Sequence, residues 1–346
     1  MKTQPNWQRL RSGELDWSIF KLRERVLWSV RTFFRDCGFL EIESPLLTPF
    51  PTLDANIHSF RTAMQAEGRK PREFYLHTSP EYSMKKLISA GSGNIFFVGK
   101  VFRNRELTPL HNPEFTMVEW YRLDADYLTI QQDTEDLIRF IVAEAFPGNG
   151  PRRVGLEMDF SPHWNRITVR ELFLNHTGID LDSCPNAESL SACAKKLGTH
   201  TNPDDDWETL FFRIFLEKIE PFLGVRRPVF VMDYPVRMGL MAKRKAENPE
   251  WVERTELYIA GTELANGYTE LVDPVEQRAR LEAERKKKRN AGDGPCPVDE
   301  GLLQALELGL PPCAGIALGL DRLIMLLAGK KYIEEVLPFP VHQWMD

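Results

Sequence analysis

The stretch GIALGLDRLIMLLAG, residues 315–329, decides the fold. It combines a short apolar segment, a glycine turn at Gly319 and a longer apolar segment that begins near Asp321 and Arg322. A short apolar run predicts a buried strand, and a longer run after a glycine predicts a helix. The stretch therefore predicts a strand that passes directly into a helix, with Arg322 at the junction.

The segment IAGTELANGYTEL, residues 259–271, precedes this strand. Its pattern predicts another β segment, and Asn266-Gly267 is a pair typical of turns and bulges. Glu263 and Glu270 are seven residues apart, so they would face opposite sides of an unbroken strand. We expect a bulge at Asn266-Gly267 to interrupt the segment and bring the two carboxylates together.

The N-terminal region predicts a helix, a short strand and a second helix. An apolar stripe over residues 19–37 predicts the first helix. FLEIESPLL at residues 39–47 predicts a strand that ends at its proline. Ser79-Pro80-Glu81 predicts the start of the second helix, with Ser79 as the N-cap and Pro80 as the first helical residue.

Residues 95–103 and 115–121 predict two strands joined by a long polar loop. Strand side chains alternate, so Phe115, Glu119 and Tyr121 share one face. A glutamate on a face that is otherwise aromatic or apolar is costly to bury without a partner. This face is therefore the predicted ligand pocket.

The middle of the chain is mainly helical in pattern. Thr168 and Glu171 form a capping box at the start of one of these helices. The pattern predicts a helical insertion at about 150–225 within a single α+β domain that covers residues 1–346. The predicted helices cover about 128–146, 168–176, 187–197 and 205–220.

Composition indicates a folded, globular protein, because 42% of residues are hydrophobic and 27% are charged. The chain has neither a long apolar run nor a signal peptide at its start, so we expect a cytoplasmic protein without a membrane segment. A net charge of -6 argues against a protein that mainly grips nucleic acid. Five cysteines without zinc spacing are expected to be reduced thiols. They are Cys37, Cys184, Cys193, Cys296 and Cys313.

Three short motifs resemble those of class II aminoacyl-tRNA synthetases: ESP at 43–45, FRNRE at 102–106 and GLDR at 319–322. TSPEYSMKKL, HNPEFTMVEWY, ELANGYTEL and GIALGLDRLIML resemble the lysyl-tRNA synthetase subclass, and more closely its short relatives, the elongation factor P lysine ligases. The resemblance implies the class II catalytic fold, a mostly antiparallel sheet flanked by helices, and a homodimer formed through the first motif. The first motif begins so early that we expect no N-terminal anticodon-binding OB-fold, which makes tRNA an unlikely acceptor.

The resemblance implies that the protein uses ATP and Mg²⁺ to activate lysine or (R)-β-lysine as the adenylate. Elongation factor P is then the implied partner, which accepts the activated group on a lysine side chain. Arginine suits such chemistry because its planar fork matches carboxylate and phosphate oxygens. Arg103 is the implied clamp for the α-phosphate and the substrate carboxylate, and Arg322 the residue at the far end of the nucleotide.

The resemblance also assigns the remaining site residues. Glu81 binds the substrate α-ammonium, Glu270 the side-chain ammonium and Asn266 the carboxylate. The implied substrate residues are Ser79, Pro80, Glu81, Glu119, Tyr121, Asn266, Glu270 and Ala317. The implied ATP residues are Arg103, Asn104, Arg105, His111, Asn112, Phe115, Glu263, Leu264, Gly319 and Arg322. Glu263 and Glu270 are the implied magnesium ligands.

The second motif departs from the family pattern, because Arg105 stands where a glutamate is usual and Glu106 follows it. Pro109 and Leu110 stand where a basic residue usually precedes His111. We predict that Arg105 supplies this charge to the nucleotide phosphates. A truncated synthetase that charges RNA and a catalytically silent paralogue remain alternatives. The basic run at 285–289 is either a solvated helix end or a docking surface.

Overall fold

The computed structural model describes residues 4–147 and 158–345. Ten α-helices are formed within these residues: α1 Asn6–Ser12, α2 Ser18–Asp36, α3 Glu81–Ser89, α4 Tyr127–Ala145, α5 Val169–Thr177, α6 Ala187–Lys196, α7 Trp207–Lys218, α8 Pro274–Asn290, α9 Glu300–Gly309 and α10 Leu320–Leu327. The strands of the same residues are β1 Leu40–Glu41, β2 Leu47–Thr48, β3 Arg61–Met64, β4 Arg72–Leu76, β5 Ile95–Phe102, β6 Glu114–Leu123, β7 Asn165–Thr168, β8 Val229–Pro235, β9 Trp251–Ile259, β10 Thr262–Thr269 and β11 Cys313–Gly319.

Eight strands form one large sheet in the order β1-β5-β6-β11-β10-β9-β8-β7. The outermost pairs, β1 with β5 and β7 with β8, are parallel, and the five pairs between them are antiparallel. A smaller antiparallel sheet has the order β2-β4-β3. The prediction of an α+β fold with a mostly antiparallel sheet is confirmed.

The main apolar core lies on one face of the large sheet, under α2, α4 and α10. Phe34 of α2 packs with Phe96 of β5 and Trp120 of β6, at ring-centroid distances of 4.9 and 5.0 Å. Because β6 alternates, Glu119 and Tyr121 project from the opposite face. Packing of the core against one face of β6 therefore leaves Glu119 and Tyr121 on the other face, away from the core.

A second apolar cluster contains α5, α6 and α7 and lies at the β7 end of the sheet. The capping box at the start of α5 is confirmed, since Thr168 and Glu171 each bond the other's backbone amide. The insertion is not purely helical, because β7 joins the edge of the main sheet before α5 begins. The predicted start near residue 150 lies outside the described residues, and the single-domain organisation stays a prediction.

The strand break expected at Asn266-Gly267 was wrong. β10 runs through both residues, and the register shifts instead between Glu263 and Ala265, so that Leu264 is the extra residue of a bulge. Gly267 is needed for close packing rather than for a turn: a Cβ there would lie 2.4 Å from the Cβ of Ile316 on β11. The pair was misread because glycine serves both purposes.

Two further features concern the chain as a whole. In the stretches 4–147 and 158–345, no helix is both long and apolar enough to cross a membrane. All five cysteines are free thiols. The Sγ atoms of Cys184 and Cys193 are 3.6 Å apart, within the second apolar cluster.

Candidate active site

Four neighbouring strands place one residue each in a row across the sheet. Glu119 of β6 lies opposite Ala317 of β11, Ala317 lies opposite Asn266 of β10, and Asn266 lies opposite Glu256 of β9. Residues directly opposite in antiparallel strands point to the same face. All four side chains therefore project away from the main core.

A second row runs beside the first and contains Tyr121, Gly315, Tyr268 and Arg254. A Cβ at Gly315 would lie 2.3 Å from a ring carbon of Tyr121, so only glycine lets that ring lie across β11. Apart from Glu256, the residues of the two rows form the floor of an inner cavity of about 160 Å³. Its polar lining includes Ser79, Glu81, Arg103, Glu119, Tyr121, Arg254, Asn266 and Tyr268.

Ser79 and Tyr121 both donate hydrogen bonds to Glu119. The Ser79 hydroxyl is 2.7 Å from Oε2 and the Tyr121 hydroxyl 2.9 Å from Oε1. Burial, followed by the charge of Glu81, raises the pKa of Glu119 to about 7. The Ser79 hydroxyl also accepts a hydrogen bond from the Glu81 backbone amide at 3.0 Å. Pro80 lies just before α3 rather than inside it.

Lys85 of α3 is buried between two carboxylates. Its Nζ is 2.7 Å from Oε1 of Glu81 and 2.5 Å from Oε2 of Glu270. Burial favours the neutral amine, but the charges of Glu270 and Glu81 outweigh it and raise the pKa of Lys85. Burial also raises the pKa of Glu270 to about 8, although Lys85 opposes this shift. Tyr268 donates to Glu81 at 2.5 Å.

Glu81 and Glu270 differ in their access to the inner cavity. The Glu81 side chain is 17% exposed and lines the cavity, whereas the Glu270 side chain is 0% exposed and lies behind the lining, against Lys85. The sequence-based role of Glu270 as an ammonium ligand thus stays a prediction.

An adjacent cavity of about 80 Å³ opens beside the inner one. Arg103 lines both cavities, and its guanidinium carbon lies 5.3 Å from the ring centroid of Phe115. The Arg103 Nε is buried and has no hydrogen-bond partner among residues 4–147 and 158–345. Such a donor is costly to leave unpaired, so the position favours an anionic ligand. The adjacent cavity is also lined by Glu106, His111, Asn112, Phe115, Glu263, Leu264, Ala317, Gly319 and Arg322.

Arg322 is held at the far wall of the adjacent cavity. It donates to the Glu263 carbonyl at 2.8 Å and to the Leu110 carbonyl at 3.3 Å, and it contacts Nε2 of His111. Burial, then Arg322 and Arg103, lowers the pKa of His111 to about 4. The imidazole is therefore neutral at physiological pH and can pair with Arg322.

The proposed metal pair of Glu263 and Glu270 is contradicted by the structure. The bulge at Leu264 does place Glu263 on the same face as Asn266. However, seven residues of extended strand separate Glu263 from Glu270 by roughly 20 Å. Both ligands of one Mg²⁺ must lie about 2 Å from it, so these two carboxylates cannot share an ion.

Glu256 is the carboxylate that accompanies Glu263. Both line an outer cavity of about 900 Å³ that also reaches Arg103 and Arg322. Burial, then Glu256, raises the pKa of Glu263 to about 7. Glu263 also lines the adjacent cavity, where Arg103 and Arg322 favour phosphate. Two neighbouring carboxylates at this place fit Mg²⁺, which usually takes one or two carboxylates together with phosphate oxygens.

Asn104 and Arg105 lie outside the linings of all three cavities. Arg105 has a left-handed backbone, with φ of 68°, and its side chain is 63% exposed. Its guanidinium lies 3.4 Å from Asp293 Oδ1 and 3.3 Å from His58 Nε2. This orientation does not support the predicted contact of Arg105 with the nucleotide, which stays a prediction, whereas Glu106 faces the cavities.

The basic run is largely engaged within the chain. Lys287 lies 2.9 Å from Glu208 of α7 and 2.8 Å from Glu284 of α8. Lys288 donates to the Ile57 carbonyl at 2.5 Å, and Arg285 pairs with Glu282 on its own helix. These partners favour a structural role for the run over a docking surface.

Comparison with known families agrees with this geometry. A family model described as tRNA synthetases class II (D, K and N) matches residues 2–343. The chain belongs to this class II synthetase family.

Two kinds of class II relative match over nearly the whole chain. The elongation factor P–(R)-β-lysine ligase of Vibrio cholerae serotype O1 is 39% identical and covers 94% of this chain and 98% of the relative. The ligase of the same name from Yersinia enterocolitica is 37% identical, and the match covers 92% of this chain and 94% of the relative. A lysine–tRNA ligase of Pelotomaculum thermopropionicum is 37% identical over 93% of this chain, which spans only 63% of that relative's length.

Sequence reasoning missed several residues of this class II site, and a signal existed for two of them. The triplet Thr-Glu-Leu occurs at 255–257, 262–264 and 269–271, and this seven-residue spacing could have revealed Glu256. Lys85 follows Glu81 by four residues, between the buried Met84 and Ile88, and therefore lies on the inner side of α3. Arg254 and Tyr268 became apparent only from the strand register.

Proposed function

We propose that this class II synthetase activates lysine or (R)-β-lysine with ATP and transfers it to a lysine side chain of elongation factor P. The observation that carries the proposal is the junction at Arg103, where an acidic inner cavity meets the adjacent cavity. The acidic side suits an amino acid with two ammonium groups. The adjacent cavity, with Phe115, His111 and Arg322, suits the nucleotide.

Arg103 is the proposed positioning charge for adenylation. Its planar fork can hold the substrate carboxylate and the α-phosphate together, so that the carboxylate oxygen attacks phosphorus in line with the departing pyrophosphate. Arg322, fixed by two backbone carbonyls, binds the distal phosphates. Glu263 and Glu256 would hold Mg²⁺, which would supply positive charge to offset that of the phosphates.

The outer cavity is the proposed route for the acceptor. It extends from Arg103 and Asn266 to Trp207 of α7 and Arg280 of α8. A neutral lysine side-chain amine that enters by this route attacks the activated carbonyl. The amide C–N bond forms as the bond between the carbonyl carbon and the phosphate oxygen breaks, and AMP and one amine proton are released. The sequence identity with ligases that carry elongation factor P in their names, over almost their full length, supports this acceptor.

The proposal also includes a cytoplasmic location, because translation factors and ATP are cytoplasmic. It further includes a homodimer. Large apolar side chains are exposed on α2 and the short strands after it, including Trp28 at 69% and Leu40 at 56%. Exposed apolar groups of this kind favour a protein interface.

The first expected result is amino-acid-dependent exchange between ATP and labelled pyrophosphate. Exchange requires only adenylation, so it tests the inner and adjacent cavities without any acceptor. We expect exchange with lysine or β-lysine and none with a mono-ammonium amino acid such as norleucine. Absence of exchange with every lysine isomer would refute the proposed adenylation.

Transfer is tested separately by incubating the enzyme, ATP and labelled amino acid with either elongation factor P or tRNA. Label on the protein supports the proposed acceptor. Label on tRNA instead would favour the lysine–tRNA ligase type of activity, which the relative from Pelotomaculum thermopropionicum carries in its name.

Ala317 is expected to influence the choice between lysine isomers. Its methyl group stands on the cavity floor between Glu119 and Asn266. One methyl group on a pocket wall shifts selectivity by roughly 1–3 kcal/mol. We expect the native protein to prefer β-lysine, and Ala317→Gly to shift the ratio of exchange rates toward α-lysine by roughly tenfold or more. An unchanged ratio would locate the selectivity at Ser79 or in the loop between β5 and β6.

A further inference from the structure

The strongest feature that the proposed reaction leaves unexplained is the burial of Lys85. Its side chain is 1% exposed and spans Glu81, which lines the inner cavity, and Glu270, which does not. Its Nζ also lies 5.6 Å from the ring centroid of Tyr268. A lysine is rarely buried to this degree unless it is paired, and a pair that links two elements fixes their geometry.

The charges around the inner cavity can be counted. Three carboxylates, those of Glu81, Glu119 and Glu270, are grouped around the single ammonium of Lys85, an excess of two acidic groups. A fourth carboxylate, Asp54, lies where the inner and outer cavities meet. The two guanidinium groups at the cavity have other functions: Arg254 pairs with Glu256 at 2.5 Å, and Arg103 lies at the nucleotide junction. The two ammonium groups of lysine or β-lysine supply the matching charge of plus two.

We propose that Lys85 is a specificity-determining positioning residue, which pairs with both Glu81 and Glu270, fixes their carboxylates in place and leaves an excess of two acidic groups that matches an amino acid with two ammonium groups. This inference rests on the proposed function. Without Lys85, three carboxylates would crowd one buried site, where like charges repel and protons are retained. A dicationic substrate would then have to displace a proton that is held more tightly than in the native protein.

The titratable groups that surround Lys85 come from four elements. Glu119 and Glu270 already have pKa values raised to about 7 and about 8 by burial. An ammonium ligand needs them ionised, so lysine affinity of the native protein rises with pH through this range. The groups are Glu81 and Tyr82 on α3, Glu119 and Tyr121 on β6, Tyr268 and Glu270 at the end of β10, and Cys313 at the start of β11.

The test is calorimetric binding of lysine to the full chain carrying Lys85→Met, from about pH 6.5 to about pH 8.5. We expect lysine to bind at least about tenfold more weakly than to the native protein at neutral pH, with up to about a tenfold recovery per pH unit as the retained proton is lost. The preference for lysine over norleucine should fall together with the lysine affinity, while the ATP affinity should stay within about threefold of the native value. Lys85→Gln is the second variant, with the same expectation, in case the methionine chain does not fold.

Lys86→Met is the matched control. Lys86 is adjacent on the same helix, but it pairs with Asp299 at 2.5 Å, outside the inner cavity, and should leave lysine affinity unchanged. Unchanged lysine affinity in Lys85→Met, or a loss equal at every pH, would overturn the inference. If the native protein itself binds no lysine isomer, the proposed function fails instead, so the two failures are distinguishable.

Discussion

Replacing Arg103 with alanine is expected to reduce ATP–pyrophosphate exchange by roughly a hundredfold to a thousandfold, the effect of losing one preorganised donor to a developing anion. Arg103 lines all three cavities, and its Nε has no hydrogen-bond partner in the part of the chain that the structure describes. Its loss removes the charge that holds the carboxylate against the α-phosphate. Saturating exchange rates and Michaelis constants for both substrates measure the effect.

Arg105→Ala is the control for this experiment. It removes the same charge two residues away, but from a side chain that is 63% exposed and directed at Asp293. Exchange should change by less than about threefold, as is usual for surface substitutions. An equal loss in both variants would mean that the nucleotide draws Arg105 inward, and would restore the prediction made from sequence.

Glu270→Gln is expected to weaken lysine binding and to lower stability together. Loss of a charge-assisted contact costs about 1.5–3 kcal/mol, equivalent to roughly tenfold to a hundredfold in lysine affinity. The substitution also leaves Lys85 buried with one partner, and breaking a buried ion pair costs roughly 3–5 kcal/mol of stability. Equilibrium unfolding and calorimetry with lysine and ATP measure the two effects.

The matched control is Glu300→Gln, which removes a carboxylate from an exposed pair with Arg278. It should alter neither lysine affinity nor, by more than about 0.5 kcal/mol, stability. If Glu270→Gln weakens ATP and lysine equally, Glu270 acts on the nucleotide instead, as the sequence-based metal assignment required.

Much of the architecture could be predicted because it depends on local pattern. Strict alternation places Glu119 and Tyr121 on one face of β6, and the capping box at Thr168 marks the start of α5. These features depend on neighbours in sequence, which composition and spacing reveal.

The errors arose where geometry depends on distant partners or on one backbone angle. The bulge at Leu264 reverses the alternation of β10, and no residue type marks it. The pairing of Lys85 with Glu270 joins residues far apart in the chain. The direction of Arg105 follows from a positive φ that the sequence does not signal for an arginine.

Gly267 has a consequence for how the substrate preference of this cavity can evolve. It points to the core side of the sheet, where the absence of a side chain lets β10 approach β11 closely. That approach sets the gap between Asn266 and Ala317 on the opposite face. The width of the cavity floor is thus set from the opposite face of the sheet, by a residue that does not line the cavity. New substrate preferences can then arise by substitution of side chains on the cavity floor, while the spacing of the β10 and β11 backbones stays the same.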